Sequence, residues 1–251
     1  MVWLVVLVVS GAIGAALLLR RGMSFGASAR ERARPLPGDD FLNGSRGRRV
    51  VMTRAISIAA PAERVWPWIA QIGRGAGWYS IDLLDNGRRP SARHVVSWIP
   101  EPRRGDATAI GYLRYLRPGT DLAWWAGDVR FAGARARLVA YYAVAPEGNG
   151  ARVVSRMSAD ASGLVAPLAL FVFAVIDSVM ASRQLIGLCS RVEAAERGGS
   201  EPPDPETGAR DQFQLYEVLY AAGGSAGVAG AEHSAHWRRA AIADGVLPSD
   251  A

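Results

Sequence analysis

The chain has 251 residues, half of them hydrophobic, which is enough to bury a full core and too apolar for global disorder. A single cysteine, Cys189, excludes an intrachain disulfide and a cysteine zinc site, and three histidines leave little material for any other metal centre. The net charge is +6 with every one of the 29 basic residues an arginine, and residues 20–54 hold nine of them (20, 21, 30, 32, 34, 46, 48, 49 and 54) against Glu31, Asp39 and Asp40. That segment carries the whole excess, so the basicity reads as a juxtamembrane feature and not as a nucleic-acid-binding strategy.

Val2 to Leu19 is an uncharged run of 18 residues that ends at Arg20-Arg21. At about 1.5 Å per residue a helix of this length reaches roughly 27 Å, just enough for a hydrocarbon core. Residues 1–21 therefore read as a single transmembrane anchor. A cleaved signal peptide is the competing reading; Ala27-Ser28-Ala29 mimics a cleavage site but lies beyond the arginine pair. The arginines that follow the run place the downstream chain in the cytoplasm by the positive-inside rule and would be drawn to anionic headgroups.

Residues 22–49, rich in Gly, Ser, Pro and Arg without periodicity, read as a basic flexible linker. Over 50–59, Met52, Arg54, Ile56 and Ile58 share one face of a strand, and Val51, Thr53, Ala55, Ser57 and Ala59 the other. Pro61 suits a first helical turn, and Ala62, Val65, Ile69 and Ile72 form an apolar stripe, with a kink or restart expected at Pro67. A short second helix is expected between a Ser80 cap and an Asn86-Gly87 stop.

Strands follow at 109–117 and 121–131, then a hairpin in which residues 134–144 and 152–157 alternate around a Pro146 to Gly150 turn. Residues 163–197 make the longest helix, apolar on every side from Leu164 to Ile176. A second membrane span is one reading of it. Pro167 and Asp177 interrupt the length a span needs, which favours a helix buried against a concave sheet. Residues 198–210 read as a linker, with small amphipathic pieces near 211–221 and 231–243.

The segment Ile56-Ser57-Ile58-Ala59-Ala60-Pro61-Ala62-Glu63-Arg64-Val65-Trp66-Pro67-Trp68-Ile69 resembles the opening of the START-like, or SRPBCC, superfamily, which includes polyketide cyclase and lipid-transfer branches. Gln71-Ile72-Gly73 and Gly77-Trp78-Tyr79-Ser80-Ile81-Asp82 are similar to a bacterial, often membrane-associated branch. The resemblance covers residues 50–197 and implies an α+β helix-grip fold: a curved antiparallel sheet wrapped around a long C-terminal helix, enclosing a cavity for an apolar ligand. The N-terminal transmembrane helix and residues 198–251 are additions to it.

Aromatics supply such a cavity with apolar wall and a few polar handles. The candidate lining residues are Trp66, Trp78, Tyr79, Trp98, Tyr112, Tyr115 and Trp124, each of which could equally be core filling. Trp124 and Trp125 point to opposite faces of a strand, so at most one faces inward. Asp82 and His94 are the candidates for an acid/base pair, against the plainer reading that Asp82 ties local backbone. No nucleophile signature occurs, and Gly73-x-Gly75-x-Gly77 follows a helix and reads as a turn. Glu232, His233 and His236 share a helical face without a third ligand type nearby, and no metal or cofactor is expected.

The leading reading is a membrane-tethered, cytoplasmic module that holds an apolar or amphipathic small molecule, lipid or polyketide-like. The second is a cyclase/dehydratase-type enzyme. A third is an assembly protein that docks a partner through Phe213, Leu215, Tyr216 and Trp237.

Overall fold

The computed structural model describes residues 19–44, 47–86, 88, 90–97, 99–108, 111–131, 133–198, 236 and 239–248. The anchor run up to Leu18, Trp98, residues 199–235 and Trp237 lie outside them.

Alternating strands with apolar side chains on both faces build one antiparallel sheet that is covered on both sides. Its members are β1 (Arg48–Ile58), β2 (Ala107–Thr108), β3 (Gly111–Arg117), β4 (Asp121–Phe131), β5 (Ala134–Glu147) and β6 (Gly150–Ser162), in the order β1-β6-β5-β4-β3-β2. The ladder shifts register between Leu113 and Tyr115 and between Ala126 and Val129. Irregularities of this kind strengthen the local twist and bend the sheet.

One face receives the long helix, here α4 (Ala166–Glu196), and α2 (Ala62–Ala70). The α2 helix runs through Pro67 to Ala70 without restarting, although Pro67 has no amide to donate to the Glu63 carbonyl. Between α2 and the short α3 (Asp82–Asp85) the chain makes the glycine turn, with Gly73, Gly75 and Gly77 all at positive φ. Ser80 does not cap α3. Its hydroxyl instead donates to the Met180 carbonyl on α4 at 2.8 Å.

In the C-terminal third of α4, Gly187 presses on the backbone of Tyr79, which itself sits at φ 59. A Cβ at Gly187 would overlap the Tyr79 carbonyl oxygen. Packing, and not helix propensity, therefore requires the glycine.

The other face of the sheet carries the main departure from expectation. The segment read as a flexible linker, 22–49, contains α1 (Ala29–Ala33) and a 3₁₀ turn (Asp39–Leu42), and residues 27–44 lie across the sheet as a strap. Ser28 and Glu31 form a capping box at the start of α1. Arg156, buried on β6, donates to the carbonyls of Glu31, Arg32 and Arg34 at 2.9–3.0 Å and to Asp39 Oδ2 at 2.6 Å. Arg152 grips Glu31 at 2.8 Å and the Gly26 carbonyl at 2.7 Å. Composition alone reads as a linker because the residues that fix it lie more than a hundred positions downstream.

Residues 239–248 pack on this same face. Ala241 is fully buried, and Asp244 accepts hydrogen bonds from Tyr112 Oη at 2.5 Å and Trp125 Nε1 at 3.1 Å.

Two outcomes test this packing. Gly187→Ala should destabilise the protein by about 2 kcal/mol or more, read by chemical denaturation; a change within error would mean that Tyr79 yields freely. Arg156→Met should make residues 27–44 the first site of limited proteolysis while the sheet persists. An unchanged digestion pattern would show that the strap holds without it.

Candidate functional site

The register aligns one ladder row as Leu122, Tyr142, Ser155 and Arg54 across β4, β5, β6 and β1. Paired residues of a row point to the same face, here toward α4. On α4, Asp177 and Gln184 lie seven residues apart, two turns along one helix face, and meet this row. Between them is a cavity of about 290 Å³. Its apolar wall comes from Trp124, Leu138, Ala140 and Met157 on the strands and from Phe173, Met180 and Ala181 on α4. Trp78, Ser80 and Asp85 close the side toward α3. The space exists because Ala140, Ala181 and Ser155 stand where larger side chains would fill it.

The floor is polar and buried. Tyr142 Oη donates to Gln184 Oε1 at 2.7 Å, and burial pushes the phenol well above its ordinary range. Arg54 is fully buried and sits 2.7 Å from Asp177 Oδ2, an ion pair by distance without a well-directed hydrogen bond. Its Nε donates to the Gly22 carbonyl at 2.6 Å. Burial pushes the Asp177 carboxyl up, against the pull of Arg54.

Asp85 is a further carboxylate of the cavity, and one that sequence reasoning missed. Its Oδ1 is buried without a hydrogen-bond partner. Burial first and the neighbouring Asp82 second raise its pKa from 3.8 to about 6. Asp85 ends a four-residue helix whose apolar residues, Leu83 and Leu84, are exposed, so no periodicity pointed to it.

Of the candidates named from sequence, Trp78 and Trp124 line the cavity. Trp66 and Tyr79 are buried in the core beneath α4, where Tyr79 Oη accepts from Gln71 Nε2 at 2.5 Å. Tyr112 and Tyr115 belong to the cluster on the opposite face of the sheet with Trp125. Trp98 lies outside the described residues.

Asp82 and His94 are not brought together at the cavity. Asp82 Oδ2 accepts from the Ser91 amide at 3.0 Å, and its other oxygen from the Ser91 hydroxyl. His94 is half-buried with its pKa lowered by that burial, and its carbonyl is held by Gln71. Cys189 is half-buried, its thiol pushed up to about 11 by burial and then by Glu193. Among the described residues no group of three His, Cys, Asp or Glu is placed to hold a metal ion.

No family model matches the chain, and no curated protein matches it. Solved structures similar to it include protein CV1439 from Chromobacterium violaceum, 19% identical, with 57% of this chain and 96% of that one covered and a TM-score of 0.35. Protein NE0264 from Nitrosomonas europaea is 12% identical over 58% and 96% of the two chains, with a TM-score of 0.39. The di-domain ARO/CYC StfQ from the steffimycin biosynthetic pathway is 11% identical over 61% and 52%, also with a TM-score of 0.39.

The raised Asp85 pKa fixes a pH dependence. A fold that favours the protonated carboxyl is most stabilised below pH 3.8, and that contribution is lost as pH rises through about 6. Asp85→Asn, neutral throughout, should be more stable than the native protein at pH 7.5, with the gap closing below about pH 4 in thermal melts. A gap independent of pH would show that Asp85 titrates as an ordinary surface carboxylate.

Proposed function

We propose that the protein is a membrane-tethered module that holds one apolar or amphipathic small molecule in the cavity between α4 and the sheet, with this domain on the cytoplasmic side. The observation that carries the reading is the cavity itself: about 290 Å³ with apolar walls and a buried polar floor at Tyr142, Gln184 and Asp177. Ligand pockets of roughly 300–1,000 Å³ combine apolar surface with a few orienting polar groups in this way. The volume suits a single acyl chain or a compact ring system better than a two-chain lipid. The tether rests on the apolar run Val2–Leu19 and the arginines that follow it.

A second reading is favoured by one observation. Asp85, with a pKa near 6 and an unpartnered oxygen in the cavity wall, is placed to give or take a proton, as a cyclase or dehydratase step requires. Asp177 is less suited, since Arg54 is spent on it.

Native mass spectrometry of the full chain in amphipol, purified from a membrane-containing host and followed by organic extraction, tests both. One small apolar molecule per chain is the expected result, lost in Ala140→Trp, which fills the cavity. Empty protein, or equal retention by Ala140→Trp, would overturn the binding reading. A bound compound heavier by one water in Asp85→Asn than in the native chain would favour the dehydratase.

A further inference from the structure

We propose that the guest of the cavity is an amphiphile with a cationic head, an apolar body carrying one protonated amine that the Asp85 carboxylate receives. The inference rests on the binding reading above and narrows it, because the same wall turns away carboxylates and phosphates.

The first observation is the sign of the lining. Asp85 and Asp177 line the cavity, and none of the described lining residues is basic. Asp177 is answered from behind by Arg54 at 2.7 Å. That guanidinium is fully buried with its Nε on the Gly22 carbonyl, and it is not part of the wall. Among the described residues no ion pair forms at Asp85, and its Oδ1 has no hydrogen-bond partner. Asp82, at the other end of the same short helix, sets a second negative group beside it. The Ser80 hydroxyl and the amides of Asp85 and Ile81 pull the other way, yet burial and Asp82 still hold the carboxyl at about 6. Arg191, which does feel Asp82, is turned to the Ala92 carbonyl at 2.9 Å and to the face of the Tyr79 ring.

The second observation is the aromatic wall on the same side. Trp78 closes the cavity beside Asp85, and Trp124, Tyr142 and Phe173 add further rings. Gly73, at φ 69, lets the Trp78 indole lie close: a Cβ there would stand 2.6 Å from its Cη2 atom. Ring faces attract a cation that has left water.

The chemistry of the head follows by elimination. At neutral pH a carboxyl with a pKa of about 6 is mainly ionised. A wholly apolar guest strips the remaining water from that charge and offers nothing in return. A fatty acid or a phosphate head sets like charge against it. A hydroxyl supplies a hydrogen bond and leaves the charge in place. A protonated amine supplies both the hydrogen bond and the opposite charge, and such charge-assisted bonds are the stronger kind.

The test uses three probes with one apolar body and different heads: 4-phenylbutylamine, 4-phenylbutanol and 4-phenylbutyric acid. Each is titrated calorimetrically at pH 7.5 into the full chain in a non-ionic detergent, for the native protein, Asp85→Asn and Ala140→Trp. The amine should bind about tenfold more tightly than the alcohol, with the acid weakest. Asp85→Asn should bring the amine down to the affinity of the alcohol while alcohol binding persists, which also reports that the variant is folded. Ala140→Trp should abolish binding of both. Equal binding of amine and alcohol, both lost in Ala140→Trp, overturns the cationic head and leaves the binding reading standing. An amine preference that survives Asp85→Asn, or acid binding as tight as that of the amine, overturns the inference in the same way. Amine binding that survives Ala140→Trp lies outside the cavity and overturns it too. If none of the three probes binds, the binding reading falls and takes this inference with it.

Discussion

Arg54 and Asp177 are taken out of water at a cost of several kcal/mol per ion, and such a pair is weak support for stability. What it supplies is placement. From Ala166 to Ile176 the long helix is apolar on every side, and hydrophobic attraction has no direction. Burial alone would let α4 rotate or slide along the concave face. The ion pair fixes it to β1 at one height and one rotation, and the same guanidinium takes the Gly22 carbonyl. Farther along, Glu193 Oε1 accepts from the Ala59 amide at 3.2 Å, and Gly187 is locked under Tyr79. With one face of α4 fixed inward, both the cavity lining and the exposure of Leu168, Phe171 and Val175 follow from the 3.6-residue period.

Both buried faces of the sheet depend on arginine in the same way. Arg54 binds a carboxylate and a carbonyl on the helix side, and Arg156 binds four carbonyl or carboxylate oxygens on the strap side. A planar guanidinium can reach several acceptors in separate segments at once, which lysine cannot match. Arg156 meets backbone carbonyls at the end of α1, where a cation also complements the helix dipole. Arg152, four residues before it on β6, holds the carboxylate of the same helix. The Arg152 hydrogen bond holds the Glu31 carboxyl down to about 2, so the strap's anchoring carboxylate keeps its charge through mild acid.

The strands, the hairpin and the long helix were legible because each carries a period, two residues for the strands and an unbroken apolar length for α4. Arg54 was visible among Met52, Ile56 and Ile58 on one strand face, and Asp177 among the apolar residues of the helix. Each is a local contradiction of its surroundings, and only the fold shows that the two contradictions are one pair. Trp124 and Trp125 divide between the faces as alternation requires, Trp124 into the cavity and Trp125 toward Asp244. The strap and the role of Asp85 were not legible. The first is ordered by side chains on distant strands, and the second by burial at the end of a helix too short for a pattern. Tyr112 and Tyr115 illustrate the limit of composition: a strand aromatic has two faces to choose from, and these two lie on the face away from the cavity.

The two cavity acids divide the possible chemistry between them. Asp177 faces a fixed cation, so its proton affinity is set inside the protein, and a ligand changes it only by disturbing that pair. Among the described residues no ion pair forms at Asp85, and its Oδ1 has no hydrogen-bond partner. An apolar ligand that displaces water from this wall removes the remaining solvation of the carboxylate and raises its proton affinity further. By linkage the same ligand then binds more tightly to the protonated form, and loading takes up a proton near neutral pH. A ligand with a hydroxyl aimed at Asp85 does the reverse, since it stabilises the anion and releases a proton. The direction of proton movement on binding therefore separates a purely apolar guest from a hydroxylated one, and only the hydroxylated guest presents Asp85 with a group that it could deprotonate or eliminate.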